Sequence, residues 1–195
     1  MGNLTTAKAI TFIDTETTHL DTSRSTILSI SIITDWDDGR QDKWTTKIKP
    51  KKLEMEFASE EALKVCMYSS KEWNDAPSFE EVAPEIAKRI MWGPIVGHNV
   101  QFDVRHLESV FKRYGYKAAN RNERVEKGNK RYKIGYPQID TCALAYLFLP
   151  TEKQNLNHLR EHFNISLERA HAADTDAEDC RTVFYKIMEY NSQKS

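Results

Sequence analysis

A chain of 195 residues, 39% hydrophobic and 29% charged, has material for one domain with its own core and too little for two of ordinary size. A formal net charge of −1 excludes a protein that coats polyanions through bulk charge, so any such binding must come from a local patch. The three scattered cysteines Cys66, Cys142 and Cys180 lack Cys-x-x-Cys spacing, which argues against a disulfide framework or a structural zinc site; without a signal-like N-terminus or an apolar run of about 20 residues, the expectation is a cytoplasmic protein with no membrane contact.

Taken in chain order, Ala7–Asp14 is rich in strand formers and ends in acids, so it reads as a first strand. Thr26–Thr34 alternates apolar and hydroxyl residues with period two and predicts a strand with one buried face. Asp37-Asp38-Gly39-Arg40 is a turn, and Asp42–Lys49 is the returning strand. Ser59 caps a short helix to about Tyr68, with acids in its first turn. Ser78 opens another helix, with Ser78 and Glu81 as a capping box, an apolar stripe of Phe79, Val82, Ile86 and Ile90, and Pro84 as a source of a kink or a later start.

Ile95–Gly97 follows as a short buried strand, then a helix over Phe102–Tyr114 with Leu107, Val110, Phe111 and Tyr114 on its buried side. Gln138–Asp140 is a further strand, leading into helices over Cys142–Phe148 and Asn155–Phe163. The last helix is expected from about Thr175 to Tyr190, with Thr175 and Glu178 as its capping box. Three strands followed by alternating helix and strand predict an α/β fold, a mixed sheet with helices on both faces, occupying residues 1–195 as a single domain.

Four carboxylates stand at the ends of apolar segments. Asp14 and Glu16 continue the alternation of Ile10 and Phe12, so an extended backbone would put both on one face, about 6–7 Å apart along the strand. Asp103 leads the buried stripe of its helix, and Asp176 does the same ahead of Cys180, Val183, Phe184 and Ile187. Acids gathered in this way repel one another and resist desolvation, a conflict that divalent cations resolve. His171 precedes Asp176 among small alanines, and an imidazole titrating near neutrality suits a general base.

The ordered set D-T-E-T-T at 14–18, G-H-N-V-Q-F-D at 97–103 and H-A-A-D-T-D at 171–176 resembles the three motifs of the DEDDh family of 3′→5′ exonucleases, especially its proofreading epsilon branch and its freestanding or phage-encoded members. The likeness extends over residues 8–190. It implies an RNase H-like fold with a five-stranded sheet, two Mg²⁺ or Mn²⁺ ions, and release of nucleoside 5′-monophosphates. By the same likeness Asp14 bridges both metals, Glu16 and Asp176 complete one site, Asp103 serves the other, and His171 deprotonates the attacking water. Thr15, Thr17, His98, Asn99 and Phe102 become candidate substrate-binding residues, Phe102 by stacking on a terminal base. Two departures bear on nucleotide preference: His19 replaces a glycine that usually closes the first motif, and Val65-Cys66-Met67 stands where the epsilon branch carries Val-His-Gly.

Between Lys112 and Lys133 stand nine basic residues, Lys112, Arg113, Lys117, Arg121, Arg124, Lys127, Lys130, Arg131 and Lys133, against Glu123 and Glu126 alone. With Tyr114, Tyr116, Tyr132 and Tyr136 nearby, this basic loop over 116–135 is expected to guide a single strand by phosphate attraction and aromatic stacking. The expected partner is thus the 3′ end of single-stranded nucleic acid, DNA favoured over RNA. Three other readings stand beside it: an exoribonuclease of the RNase T or oligoribonuclease type, a proofreading subunit bound to a DNA polymerase, and a non-catalytic nucleic-acid-binding module.

Overall fold

The computed structural model describes residues 8–120, 129–166 and 173–194. Strands β1 (Ala9–Thr17), β2 (Ile27–Trp36) and β3 (Gln41–Lys47) form an antiparallel meander. Three short helices follow, α1 (Lys52–Met55), α2 (Glu60–Val65) and α3 (Ser70–Trp73), and then α4 (Phe79–Arg89). Next come β4 (Ile95–Gly97), α5 (Val100–Arg113), a two-residue parallel pair β5 (Lys117–Ala118) and β6 (Arg131–Tyr132), and β7 (Gln138–Asp140). Helices α6 (Thr141–Phe148), α7 (Leu156–His162) and α8 (Ala173–Ser192) complete the chain. The main sheet has the order β3-β2-β1-β4-β7, with β1, β4 and β7 mutually parallel.

Both faces of the sheet are covered, as the mixed pattern predicts. Ile13, Ile27, Ile30 and Ile32 pack with α4 and α5 through Phe79, Ile86, Leu107 and Phe111. Phe12, Ile33 and Val96 face α8 through Ala177, Cys180 and Phe184. Period-two alternation along β1 therefore assigns Ile10, Phe12, Asp14 and Glu16 to the α8 side and Ile13 and Thr15 to the α5 side. At the entry to β4, Gly93 (φ +57°) passes so close to β1 that a Cβ would lie 1.8 Å from the Ala9 carbonyl oxygen. Only glycine fits there.

Several local expectations meet the structure directly. Ser59 caps α2 by accepting from the Ala62 amide at 3.4 Å, and Glu81 Oε2 accepts from the Ser78 amide at 2.7 Å at the start of α4. Pro84 sits inside α4 without delaying its start at Phe79. The strand β1 runs three residues past Asp14, so both first-motif acids lie on extended backbone. The capping box expected at Thr175 and Glu178 does not form: α8 already begins at Ala173, which puts Thr175 inside the first turn. Stacking is corrected for three of the four loop tyrosines, since Tyr136 stays exposed. Tyr116 and Tyr132 are buried against Phe111, with ring centroids 5.1 and 4.6 Å away, and Tyr114 packs on Phe79 while donating its hydroxyl to Glu54. Their apolar rings fill the core under β5 and β6 and are not free for bases. Arg121, Arg124 and Lys127 lie outside the described residues. Among the described residues no helix is long and apolar enough to cross a membrane.

Candidate active site

The parallel centre of the sheet brings the C-terminal ends of β1, β4 and β7 together, with the N-termini of α5, α6 and α8 above them. Loops and helix starts at this edge are where open α/β sheets hold ligands, because side chains there leave the sheet without leaving its scaffold. Asp14 and Glu16 emerge on the α8 side, and Asp176 descends from the first turn of α8 to meet them. A carboxylate oxygen from each of the three lies within 4.8 Å of the others.

Asp103 sits outside that set of three. It is buried in the first turn of α5, where its Oδ1 accepts from the Thr15 amide at 2.9 Å and from the Thr15 hydroxyl at 2.8 Å. Thr15 is thereby turned away from the α8 side and fixes the neighbouring acid. The helix start favours the negative charge at Asp103, but burial outweighs it.

Burial, reinforced by Asp103, Asp176 and Glu16, pushes the Asp14 carboxyl well above the usual carboxylate range; the Arg160 guanidinium works against that rise. Glu16 is pushed up to about 7 by burial and then by Asp176 and Asp103. Burial likewise raises Asp103 to about 7, in spite of the two hydrogen bonds from Thr15. A group of hard oxygen donors that cannot all ionise unaided is the donor set expected for Mg²⁺ or Mn²⁺. The residues therefore fit divalent cations.

One member of the site has no counterpart in the sequence reading. Arg160 of α7 is a buried guanidinium, its side chain 1% exposed, that donates to Asp176 Oδ1 at 2.5 Å, Asp179 Oδ2 at 2.7 Å and Asn157 Oδ1 at 2.6 Å. It lies one turn after Leu156 on the side of α7 that packs on α8. A basic residue on the apolar stripe of a short helix was the available signal, since an arginine is rarely buried without an acid to meet.

The remaining candidates are spread around this edge. His98 Nδ1 lies 3.0 Å from the Thr141 hydroxyl, and burial holds its imidazole below its ordinary value. Asn99 begins α5 in the left-handed region (φ 63°), and its amide donates to Asp140 Oδ1 at 3.0 Å. Asp140 also accepts from the Cys142 amide at 2.9 Å, so it caps α6. The Thr17 hydroxyl donates to the His19 carbonyl at 3.3 Å. Phe102 stacks obliquely on His106, centroids 4.1 Å apart, and faces a hollow of about 300 Å³. Thr15, Glu16 and Thr17 form one end of that hollow, and Leu20, Ala62 and Val65 supply apolar walls. Leu20 is 78% exposed, an apolar group held in water beside an acid cluster. His171 lies outside the described residues.

Comparison with known proteins bears on the family and the fold. Residues 11–184 match the family model of the RNase T exonucleases, described as exonuclease. The epsilon subunit of DNA polymerase III from Treponema pallidum is 23% identical over 190 residues, covering 96% of this chain and 80% of that one. The 3′-5′ exonuclease DinG of Staphylococcus saprophyticus is 35% identical over 105 residues, 53% of this chain; the match spans only 10% of that longer relative. Escherichia coli exonuclease I, solved with a dT13 oligonucleotide, superimposes with a TM-score of 0.69 at 17% identity over 93% of this chain and 40% of that one.

Proposed function

The chain belongs to the RNase T exonuclease family, and on that premise we propose that it is a metal-dependent 3′→5′ exonuclease that shortens single-stranded DNA to nucleoside 5′-monophosphates. The convergence of Asp14, Glu16 and Asp176 at the sheet edge, beside a hollow with apolar walls, is the observation that carries this reading. A nucleobase fits the apolar part, since a π-face stacks on side chains whatever its identity, while its phosphate would sit against the acids. Relatives solved with or named for DNA support DNA over RNA: epsilon belongs to a DNA polymerase, and exonuclease I was solved with a dT13 oligonucleotide.

Asp14, Glu16 and Asp176 would hold the cations, with Asp103 completing the set through Oδ2, since both bonds from Thr15 go to Oδ1. When bound, such cations stabilise the attacking and leaving oxygens of an in-line displacement. Phe102 and Leu20 would hold the terminal base, and Thr17, His98 and Asn99 would position its sugar and phosphate. His171 would take the proton of the attacking water, a role worth about 10²–10⁴-fold for a positioned base.

The test uses matched 5′-labelled DNA and RNA oligonucleotides with Mg²⁺ or Mn²⁺, comparing the parent with Asp14→Ala and His171→Ala. The expected result is a ladder shortening from the 3′ end of DNA. Asp14→Ala should lower its rate by at least about 10³-fold, matching the loss of several kcal/mol of charge stabilisation. A ladder on RNA alone would move the protein to RNA turnover, and tight binding without cleavage would make the acids a binding device.

A further inference from the structure

On the outer face of α5, Phe102, Arg105, Ser109 and Lys112 follow one another at i, i+3, i+7 and i+10. That spacing draws a single line along a helix, here about 15 Å from end to end. Its first residue, Phe102, lines the hollow beside Glu16. Its later residues line a second, open groove of about 650 Å³, closed on one side by Thr22 and on the other by Lys117 and Ala118 of β5 with Tyr132. The Ser109 hydroxyl donates to the Thr22 carbonyl at 2.7 Å, and His106 Nε2 lies 3.1 Å from the His19 carbonyl, so the segment after β1 is stitched along this helix. The line is thus continuous from the acid edge into the groove.

The groove gathers three exposed cations in one lining. Lys43, Lys47, Lys51, Arg89, Arg113 and Arg181 each sit on a carboxylate. Arg105, Lys112 and Lys117 are exposed, converge on one depression and form no ion pair among the described residues, with Glu108 the one acid in the lining. Tyr116 and Tyr132 are buried against Phe111, so the groove offers cations and no exposed stacking platform. A surface of that kind recognises phosphates and ignores bases.

We propose that this groove binds the backbone phosphates of the single strand that trails 5′ from the terminal nucleotide, holding it by Arg105, Lys112 and Lys117. The inference rests on the exonuclease reading for the direction of the strand. It makes affinity depend on substrate length: a long strand reaches the groove, and a single nucleotide does not. Ions released from the phosphates make the long-strand affinity fall with salt, by about 0.7 in log–log slope for each contact on a single strand.

The experiment compares the parent with the triple variant R105Q/K112Q/K117Q on a long oligothymidylate and on the p-nitrophenyl ester of thymidine 5′-monophosphate, across a salt series. The expected variant has a KM for the oligothymidylate raised on the order of tenfold, and a salt slope smaller by about 2. Its turnover of the ester should match the parent's. Parental KM and slope on the oligothymidylate would overturn the proposal. So would an equal loss on the ester, which would place these residues in service of the fold or the acid edge. If the parent cleaved neither substrate, the exonuclease reading would fall by itself. Anisotropy of a labelled oligothymidylate would then decide the groove, with equal affinity and slope in the two proteins counting against it.

Discussion

Around the C-terminal end of β1 the chain gathers carboxylates out of water and meets them with one buried guanidinium, Arg160. Around the outer face of α5 it does the reverse, leaving Arg105, Lys112 and Lys117 in water with Glu108 the one acid in their groove among the described residues. The first region is rigid and costly: its groups sit on strand and helix ends, pinned by partners such as Thr15 and Asn157, and several are held away from their ordinary protonation. The second is cheap, because solvated cations on a helix face need no partner and little order. The contrast teaches that the two regions can do different parts of one task. Chemistry needs fixed, desolvated charge, whereas capture of a flexible polyanion needs only accessible charge of the right sign.

The strongest way to break that contrast is to remove Arg160, the buried cation on the acid side. Arg160→Gln leaves Asp176 and Asp179 as neighbouring buried acids without their shared partner, a change that costs about 3–5 kcal/mol in comparable buried pairs. We expect a marked fall in Tm and, in protein still folded at low temperature, a loss of Mn²⁺ affinity of about 10–100-fold, the scale seen when a group orienting a ligand is lost. Arg160→Lys keeps the charge and gives up the fork that spans three acceptors, so it should fold better and lie between the two. Mn²⁺ titration followed by electron paramagnetic resonance reads this without turnover. Parental affinity in both variants would mean that Arg160 serves the fold and leaves the Asp176 carboxylate to orient itself.

A smaller effect is expected where the two regions meet. Phe102 lines the hollow beside Glu16 and heads the line of residues that leads to the groove. Phe102→Ala removes a stacking surface worth about 1–3 kcal/mol per base, so KM should rise for the oligothymidylate and the mononucleotide ester alike. The groove variant should affect the first substrate only. Equal behaviour of the two variants would merge the regions into one site and dissolve the contrast.

The two regions also differ in how far the sequence disclosed them. Asp14, Glu16, Asp103 and Asp176 are legible because each breaks an apolar period at the end of an element, and the periodicity of β1, α5 and α8 says which way they face. The sheet was legible for the same reason. Arg160 was not, because α7 has only seven residues and its partners Asp176 and Asp179 come from another helix. Thr15 was read as a substrate contact since a sequence cannot say that its hydroxyl reaches across 88 positions to Asp103. The basic segment was visible as composition, but the roles of its tyrosines were not: whether a ring packs inward depends on Phe79 and Phe111, which arrive from α4 and α5. Groups that follow local period can be read, and groups defined by a tertiary partner cannot.

The finest test of the contrast is pH. Glu16 and Asp103 hold their protons up to about 7 in the metal-free fold, while an unfolded chain releases them near 4. Between those values the native state binds more protons than the unfolded state, so stability falls as pH rises. The contribution is complete below about pH 4 and is lost by the time the pH passes the folded values near 7. A divalent cation replaces those protons, so the gain in Tm on adding Mg²⁺ should be small at acid pH, grow through this window and level off above it. R105Q/K112Q/K117Q changes only the groove and none of the clustered acids, so it should trace the parental curve. Thermal melts with EDTA or Mg²⁺ across this pH range measure both curves, on a scale of about 2–4 °C per kcal/mol for a chain of this length. A Mg²⁺ gain that is flat with pH would mean the acids are already ionised at low pH. The acid edge would then be as solvated as the groove, and burial would no longer separate the two.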